Sequence, residues 1–198
     1  MMMEFGTMRS GLIALALTIG LAGCGGQESA EEGNAASGGS ADGNAAQAAP
    51  TSVVATLQTA EGAAAGTATA SVADGGIRLA LNLEGLPPGR HGVHVHLTGK
   101  CEAPGFTSAG GHWNPANAQH GLEAPPGQHA GDMPNLIVGA DGRGTLDYTL
   151  QGGSFDGLLD ADGSAMVIHA DADDQRTDPS GNSGDRIACG VFKAADEG

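Results

Sequence analysis

Aromatic residues are scarce: one Trp, one Tyr and four Phe in 198 positions, or 3% of the chain. A core made from this chain must rest on closely packed Val, Leu and Ile instead of rings. Basic residues are also few, 8 Lys and Arg against 23 Asp and Glu, for a formal net charge of −15. No basic stripe exists to neutralise phosphates, which excludes a nucleic-acid partner. The apolar run from Gly11 to Ala22 is about 12 residues, short of the roughly 20 that a membrane-spanning helix needs. No His-Glu-x-x-His helix occurs, which removes the common zinc-hydrolase site. Asp160-x-Asp162-Gly163 puts its glycine fourth instead of sixth, so it reads as a turn and not a calcium loop. What is abundant is glycine, at 35 residues, and seven histidines stand against the single Trp and single Tyr. That ratio points to metal.

Residues 1–23 read as an export signal, with Arg9 for charge, the apolar run, then small residues. The run ends in Leu21-Ala22-Gly23-Cys24, which resembles the bacterial lipoprotein cleavage box. The resemblance implies cleavage before Cys24 and acylation of that cysteine. Acyl chains at ~0.8 kcal/mol per buried methylene would then hold the chain on a membrane. An ordinary secretory signal followed by a chance cysteine is the alternative. Residues 24–50 form a Gly/Ala/Ser/Asn/Gln tract without apolar periodicity, read as a flexible, lipid-anchored linker. As a random coil such a length reaches about 28 Å.

Residues 51–198 read as one all-β domain. In Ile77 to Glu84 every second residue is apolar, the period of a half-buried strand. Weaker runs occur at 52–60, 66–73, 91–98, 135–140, 144–150, 165–170 and 186–193. Asp74-Gly75, Pro87-Pro88-Gly89, Asp141-Gly142 and Asp162-Gly163 supply turns between them. Eight short strands so spaced predict an antiparallel sandwich or barrel. Between Gly99 and Asn135 lies a long aperiodic stretch that a compact domain tolerates only when something pins it.

Two kinds of staple are available. Once Cys24 is assigned to lipid, Cys101 and Cys189 remain as an even pair in an oxidising compartment, joined as a disulfide or left as two buried thiols. The histidines offer the other staple. On a strand, His94 and His96 share one face while Val93, Val95 and Leu97 take the other. His112, His120, His129 and Asp132 lie in the aperiodic stretch, and His169 ends the apolar run Ala165-Met166-Val167-Ile168. Zinc accepts three imidazoles and a carboxylate, and copper(II) favours a tetragonal set of nitrogens. Seven such side chains cannot fill two four-coordinate sites unless one imidazole bridges both metals.

The segments His91-Gly92-Val93-His94-Val95-His96, Gly111-His112-Trp113-Asn114-Pro115, His120-Gly121, His129-Ala130-Gly131-Asp132, Val167-Ile168-His169-Ala170-Asp171 and Gly184 to Val191 together resemble the copper/zinc superoxide dismutase family, its exported bacterial branch in particular. The likeness covers nearly all of 51–198 in order. It implies an eight-stranded Greek-key sandwich or barrel with long metal-binding and active-site loops. It also implies one copper and one zinc per subunit and the disproportionation of superoxide anion. By the same resemblance, copper falls to His94, His96, His112 and His169, and zinc to His112, His120, His129 and Asp132, with His112 the bridge. Asp173 matches the carboxylate linking ligand histidines of the two sites, Arg186 the arginine beside copper, and Cys101 with Cys189 the family disulfide. His91 matches a structural position. A homodimer is compatible with the resemblance, since members differ in oligomeric state. The expected location is the periplasmic face of a bacterial membrane.

The segment from His169 to Arg186 is short and acidic, with Asp171, Asp173, Asp174, Asp178 and Asp185 against Arg176. Superoxide is an anion, so this charge bears on its approach. A copper/zinc-binding protein of the same fold with little turnover is the alternative function. Arg186 and Asp173 weigh against it, because storage needs neither an anion guide nor preorganised ligands.

Overall fold

The structure, a computed structural model, describes residues 50–124 and 127–194. The leader over residues 1–23, Cys24 and the tract up to residue 49 lie outside the described residues.

Among the described residues nine strands frame the fold: β1 (Ser52–Thr59), β2 (Ala64–Ala73), β3 (Gly76–Leu83), β4 (Gly89–His91), β5 (Val93–His96), β6 (Leu136–Val138), β7 (Gly144–Leu150), β8 (Ala165–His169) and β9 (Arg186–Ala194). A four-residue helix, α1 (Phe155–Leu158), starts at Ser154, whose side chain caps the Gly157 N–H. Strand β3 shows how the sequence builds the sheet. Ile77, Leu79, Leu81 and Leu83 are buried, whereas Arg78 and Asn82 face solvent. The same alternation in β1 buries Val53, Ala55 and Leu57. Each fully buried Val, Leu or Ile side chain contributes about 1.5–3 kcal/mol.

The main sheet is antiparallel, with strand order β5-β8-β9-β1-β2-β3-β7, and β4 pairs with β6. The core between them joins Leu57, Leu79, Leu83, Val93, Val95, Met133, Leu136, Leu150, Met166 and Ile168. Few rings take part, as the composition requires. The all-β antiparallel architecture is the expected one.

One expected strand is two. The run at 91–98 breaks at Gly92, whose N–H donates to the Asp171 carbonyl and whose carbonyl accepts from the His169 N–H, each at 2.8 Å. These bonds divert the ladder, so β4 joins β6 while β5 joins β8. Among its described residues the aperiodic stretch lacks strands and holds a single turn of 3-10 helix at Thr107–Ala109. It is pinned as expected. Cys101 and Cys189 form a disulfide, with Cα atoms 5.7 Å apart and a sequence separation of 88, which ties the stretch to β9.

Candidate metal centre

Strand β5 is the foundation of the site. Its inner edge pairs with β8, and its other edge takes up the long loop. Val95 N–H donates to Gly131 O at 3.0 Å, Trp113 N–H to Val95 O at 2.8 Å, and Gly131 N–H to Trp113 O at 2.9 Å. Only glycine fits at position 131, where a Cβ would stand 2.3 Å from the Val95 carbonyl oxygen. These contacts set His96 opposite His112 and His94 opposite Asp132. His169 enters from the end of β8 at a register irregularity that pairs it with Arg186.

The structure thus brings together all seven ligand candidates. His94, His96, His112, His120, His129, Asp132 and His169 are all buried. Ligand atoms of His94, His96, His112 and His169 lie within 4.8 Å of one another. Nδ1 of His94 and Nε2 of His96, His112 and His169 are buried without any hydrogen-bond partner. Such an orphan costs roughly 1–3 kcal/mol. Four at one point form a nitrogen set that fits a cation of copper's preferences. The opposite nitrogens are held: His94 Nε2–H donates to Asp173 Oδ2 at 2.7 Å, and His96 Nδ1–H to Gly110 O at 2.9 Å. These bonds fix tautomer and aim.

A second set surrounds Asp132. Its Oδ2 accepts the backbone N–H of Gly121 at 2.8 Å and of His129 at 3.0 Å. Its Oδ1 faces Nδ1 of His112 at 2.9 Å, of His120 at 3.1 Å and of His129 at 3.3 Å. Three imidazoles and one carboxylate match zinc. Distance alone also groups His94 with His112, His120 and Asp132. Hydrogen bonding decides otherwise, because the Nε2 of His94 belongs to Asp173 and its Nδ1 to the first set. His112 therefore stands between the two sets, Nδ1 toward Asp132 and Nε2 toward the first.

Protonation follows from the surroundings. Burial lowers His94 to about 3 and His169 to about 4, and pushes His96 well below its ordinary value. Burial lowers His112 also, against the opposing pull of Asp132. These rings are neutral near pH 7, the form a metal requires. Burial would raise Asp132, but hydrogen bonds from His112, His120 and His129 outweigh it and hold the carboxyl far below its usual range. Asp173 is likewise held low by His120 and His94 in spite of burial.

Arg186 lies beside the first set, in a cleft of about 360 Å³ that is also lined by His96, His112, His169 and Ser180. Its guanidinium donates to the carbonyls of Phe106 and Gly110, both at 2.7 Å. A larger hollow of about 440 Å³ lies by the disulfide, but no set of metal-ligating side chains lines it. His91 stays out of the cluster, its ring nitrogens 2.8 Å from His169 O and 2.9 Å from Pro87 O. Sequence reasoning missed Asn135, which exchanges two hydrogen bonds with the Asp173 backbone at 2.7 and 2.8 Å. It also missed the two carbonyls that hold Arg186. No local pattern marks either one.

Two adjoining metal-ligating sets that share one imidazole, on an antiparallel β fold, define the ligand frame of a two-metal centre. The family profile described as copper/zinc superoxide dismutase (SODC) matches residues 64–192. The superoxide dismutase [Cu-Zn] of Caulobacter vibrioides is 43% identical over 149 residues, 72% of this chain and 86% of that protein. The superoxide dismutase-like protein YojM of Bacillus subtilis is 47% identical over 130 residues, 63% of this chain and 66% of its own length. The solved Cu/Zn superoxide dismutase from Brucella abortus superposes with a TM-score of 0.58 at 31% identity, covering 72% of this chain and 99% of that one. The chain belongs to the copper/zinc superoxide dismutase family, and copper and zinc are the cofactors that its His and Asp groups are able to hold.

Proposed function

We propose that this chain disproportionates superoxide, two anions and two protons giving dioxygen and hydrogen peroxide. The observation that carries the reading is the His112 ring, with Nδ1 in one ligand set and the orphaned Nε2 in the other. His94 through Nδ1, with His96, His112 and His169 through Nε2, would hold copper; His112, His120, His129 and Asp132 would hold zinc. Copper held there would supply one-electron exchange with superoxide. The chain supplies the rest. Nε2 of His112 is the nitrogen that takes up and returns a proton, since its Nδ1 is fixed among Asp132, His120 and His129. Arg186, held by two carbonyls, draws the anion into the cleft and orients it. Asp173 keeps the rings of His94 and His120 in place through both of its carboxylate oxygens.

Steady-state dismutation by the copper- and zinc-loaded chain tests this. Rapid, copper-dependent turnover is expected. Full loading of both metals without turnover would reject catalysis and leave metal storage.

The proposal extends to location: export, cleavage before Cys24, a lipid anchor on that residue, and residues 24–50 as the tether of a 51–198 domain. The leader pattern supports it, as does the Cys101–Cys189 disulfide, a bond more common in oxidising compartments. Cys24→Ala should release the chain from the membrane fraction; unchanged membrane retention would reject the anchor.

A further inference from the structure

The segment joining β8 to β9 carries five aspartates, and its carboxylates serve different ends. Asp174 serves its own turn, accepting from Thr177 Oγ1 at 2.7 Å and from Asn182 Nδ2 at 2.8 Å. Asp173 joins His94 to His120. Asp178 reaches furthest: its Oδ1 accepts the backbone N–H of His120 at 2.6 Å, across 58 positions of sequence. The same oxygen lies 4.0 Å from Nε2 of His129, the nitrogen facing away from Asp132.

Neighbouring contacts form a seam along which this bond lies. Glu123 N–H donates to Gln175 O at 3.2 Å, and Arg176 pairs with Glu123. Gly121, at φ +105°, lies so close that a Cβ there would stand 2.0 Å from the Gln175 carbonyl oxygen. The backbone on either side of His120 is thus pressed against 173–178. His120 itself is gripped twice, its ring by Asp173 and its amide by Asp178.

We propose that Asp178 is a positioning residue for the zinc set. By accepting the His120 amide it fixes the backbone from which that ring turns Nδ1 toward Asp132, and its charge faces the outer nitrogen of His129. Groups that hydrogen-bond a ligand's ring set its orientation and typically change metal affinity by 10- to 100-fold; Asp178, bonded to the amide of one ligand and 4.0 Å from the ring of a second, is expected to act within that range. The inference rests on the assignment of His112, His120, His129 and Asp132 to zinc.

The test is zinc affinity of the full metal-free chain, measured against a chromophoric chelator, with cobalt(II) absorption as a spectroscopic probe of the same set. Asp178→Ala is expected to weaken zinc about 10- to 100-fold and to shift the cobalt bands, with copper uptake unchanged. Asp178→Asn, which keeps an oxygen acceptor at that place, should recover most of the loss. Asp178→Leu, of similar size without an acceptor, should repeat it and carries the test if the alanine variant does not fold. Asp174→Ala loosens the adjoining turn without touching a ligand and should leave zinc affinity unchanged. Equal zinc affinity in parent and Asp178→Ala, or an equal loss in Asp174→Ala, would overturn the role of Asp178 while leaving the zinc set standing. A parent that takes up no zinc would overturn both.

Discussion

At the scale of single residues, the rings of the two sets differ in what a cation must displace. His94 and His169, lowered by burial to about 3 and about 4, carry no positive charge near neutrality. His120 is the opposite case. Burial pulls it down, but hydrogen bonds to Asp132 and Asp173, one on each ring nitrogen, overcome burial and raise it to about 9. A folded-state value above the ordinary 6.5 means that this imidazolium stabilises the metal-free fold fully below pH 6.5. That contribution is lost as pH rises through about 9. Metal competes with the same proton. Zinc binding to the metal-free chain at pH 7.5 is therefore expected to release about one proton from His120, falling toward none above about pH 9. Calorimetry in buffers of different ionisation enthalpy counts it. Zinc uptake at pH 7.5 with no proton release would contradict the reading.

At the scale of elements, the disulfide and the cleft are one device. The segment after Cys101 supplies Phe106 O and Gly110 O, which hold Arg186, and Gly110 O also accepts from His96. Tying Cys101 to β9 keeps those carbonyls opposite the strand that begins with Arg186. Cys101→Ser opens a loop closed over 88 positions, worth roughly 4–5 kcal/mol in the loop-entropy account. Lower melting temperature and faster metal loss are expected, with smaller change in the copper spectrum of molecules still loaded. Equal metal content and melting temperature in variant and parent would refute this. How much of this arrangement the sequence discloses follows from the range of each interaction. The alternation in Ile77–Leu83 is local and shows in the chain. So do the pair His94 and His96 on one strand face and the turn at Asp141-Gly142. The break at Gly92 is not legible, because it depends on Asp171 and His169 arriving from about 80 residues away. Asn135, Asp178 and the Phe106 carbonyl acquire their roles only when distant loops meet, and no periodicity records that.

At the scale of the whole molecule, the question is how an acidic protein admits an anion. Residues 51–198 carry 18 acidic and 7 basic side chains. Five of those carboxylates are engaged locally. Asp132 and Asp173 face imidazoles, and Arg78, Arg143 and Arg176 pair with Asp147, Glu84 and Glu123. Among the described residues Arg186 pairs with no carboxylate. Burial lowers its pKa, yet a guanidinium remains charged at any physiological pH. Carboxylates beyond a Debye length of about 8 Å are largely screened, whereas a cation at the cleft acts on the anion at close range, where salt weakens its pull without abolishing it. Focusing of this kind, for which superoxide dismutases are a standing example, raises on-rates by roughly 10- to 1,000-fold. The two fields predict opposite salt responses. If the distant carboxylates dominated, added salt would speed the reaction by screening repulsion; if Arg186 dominates, salt slows it. For the parent, kcat/KM is expected to fall with ionic strength. In Arg186→Gln it should drop by roughly tenfold or more and lose that dependence, with copper content unchanged. A variant that keeps the parent's salt profile would show that the anion is guided by something other than this side chain.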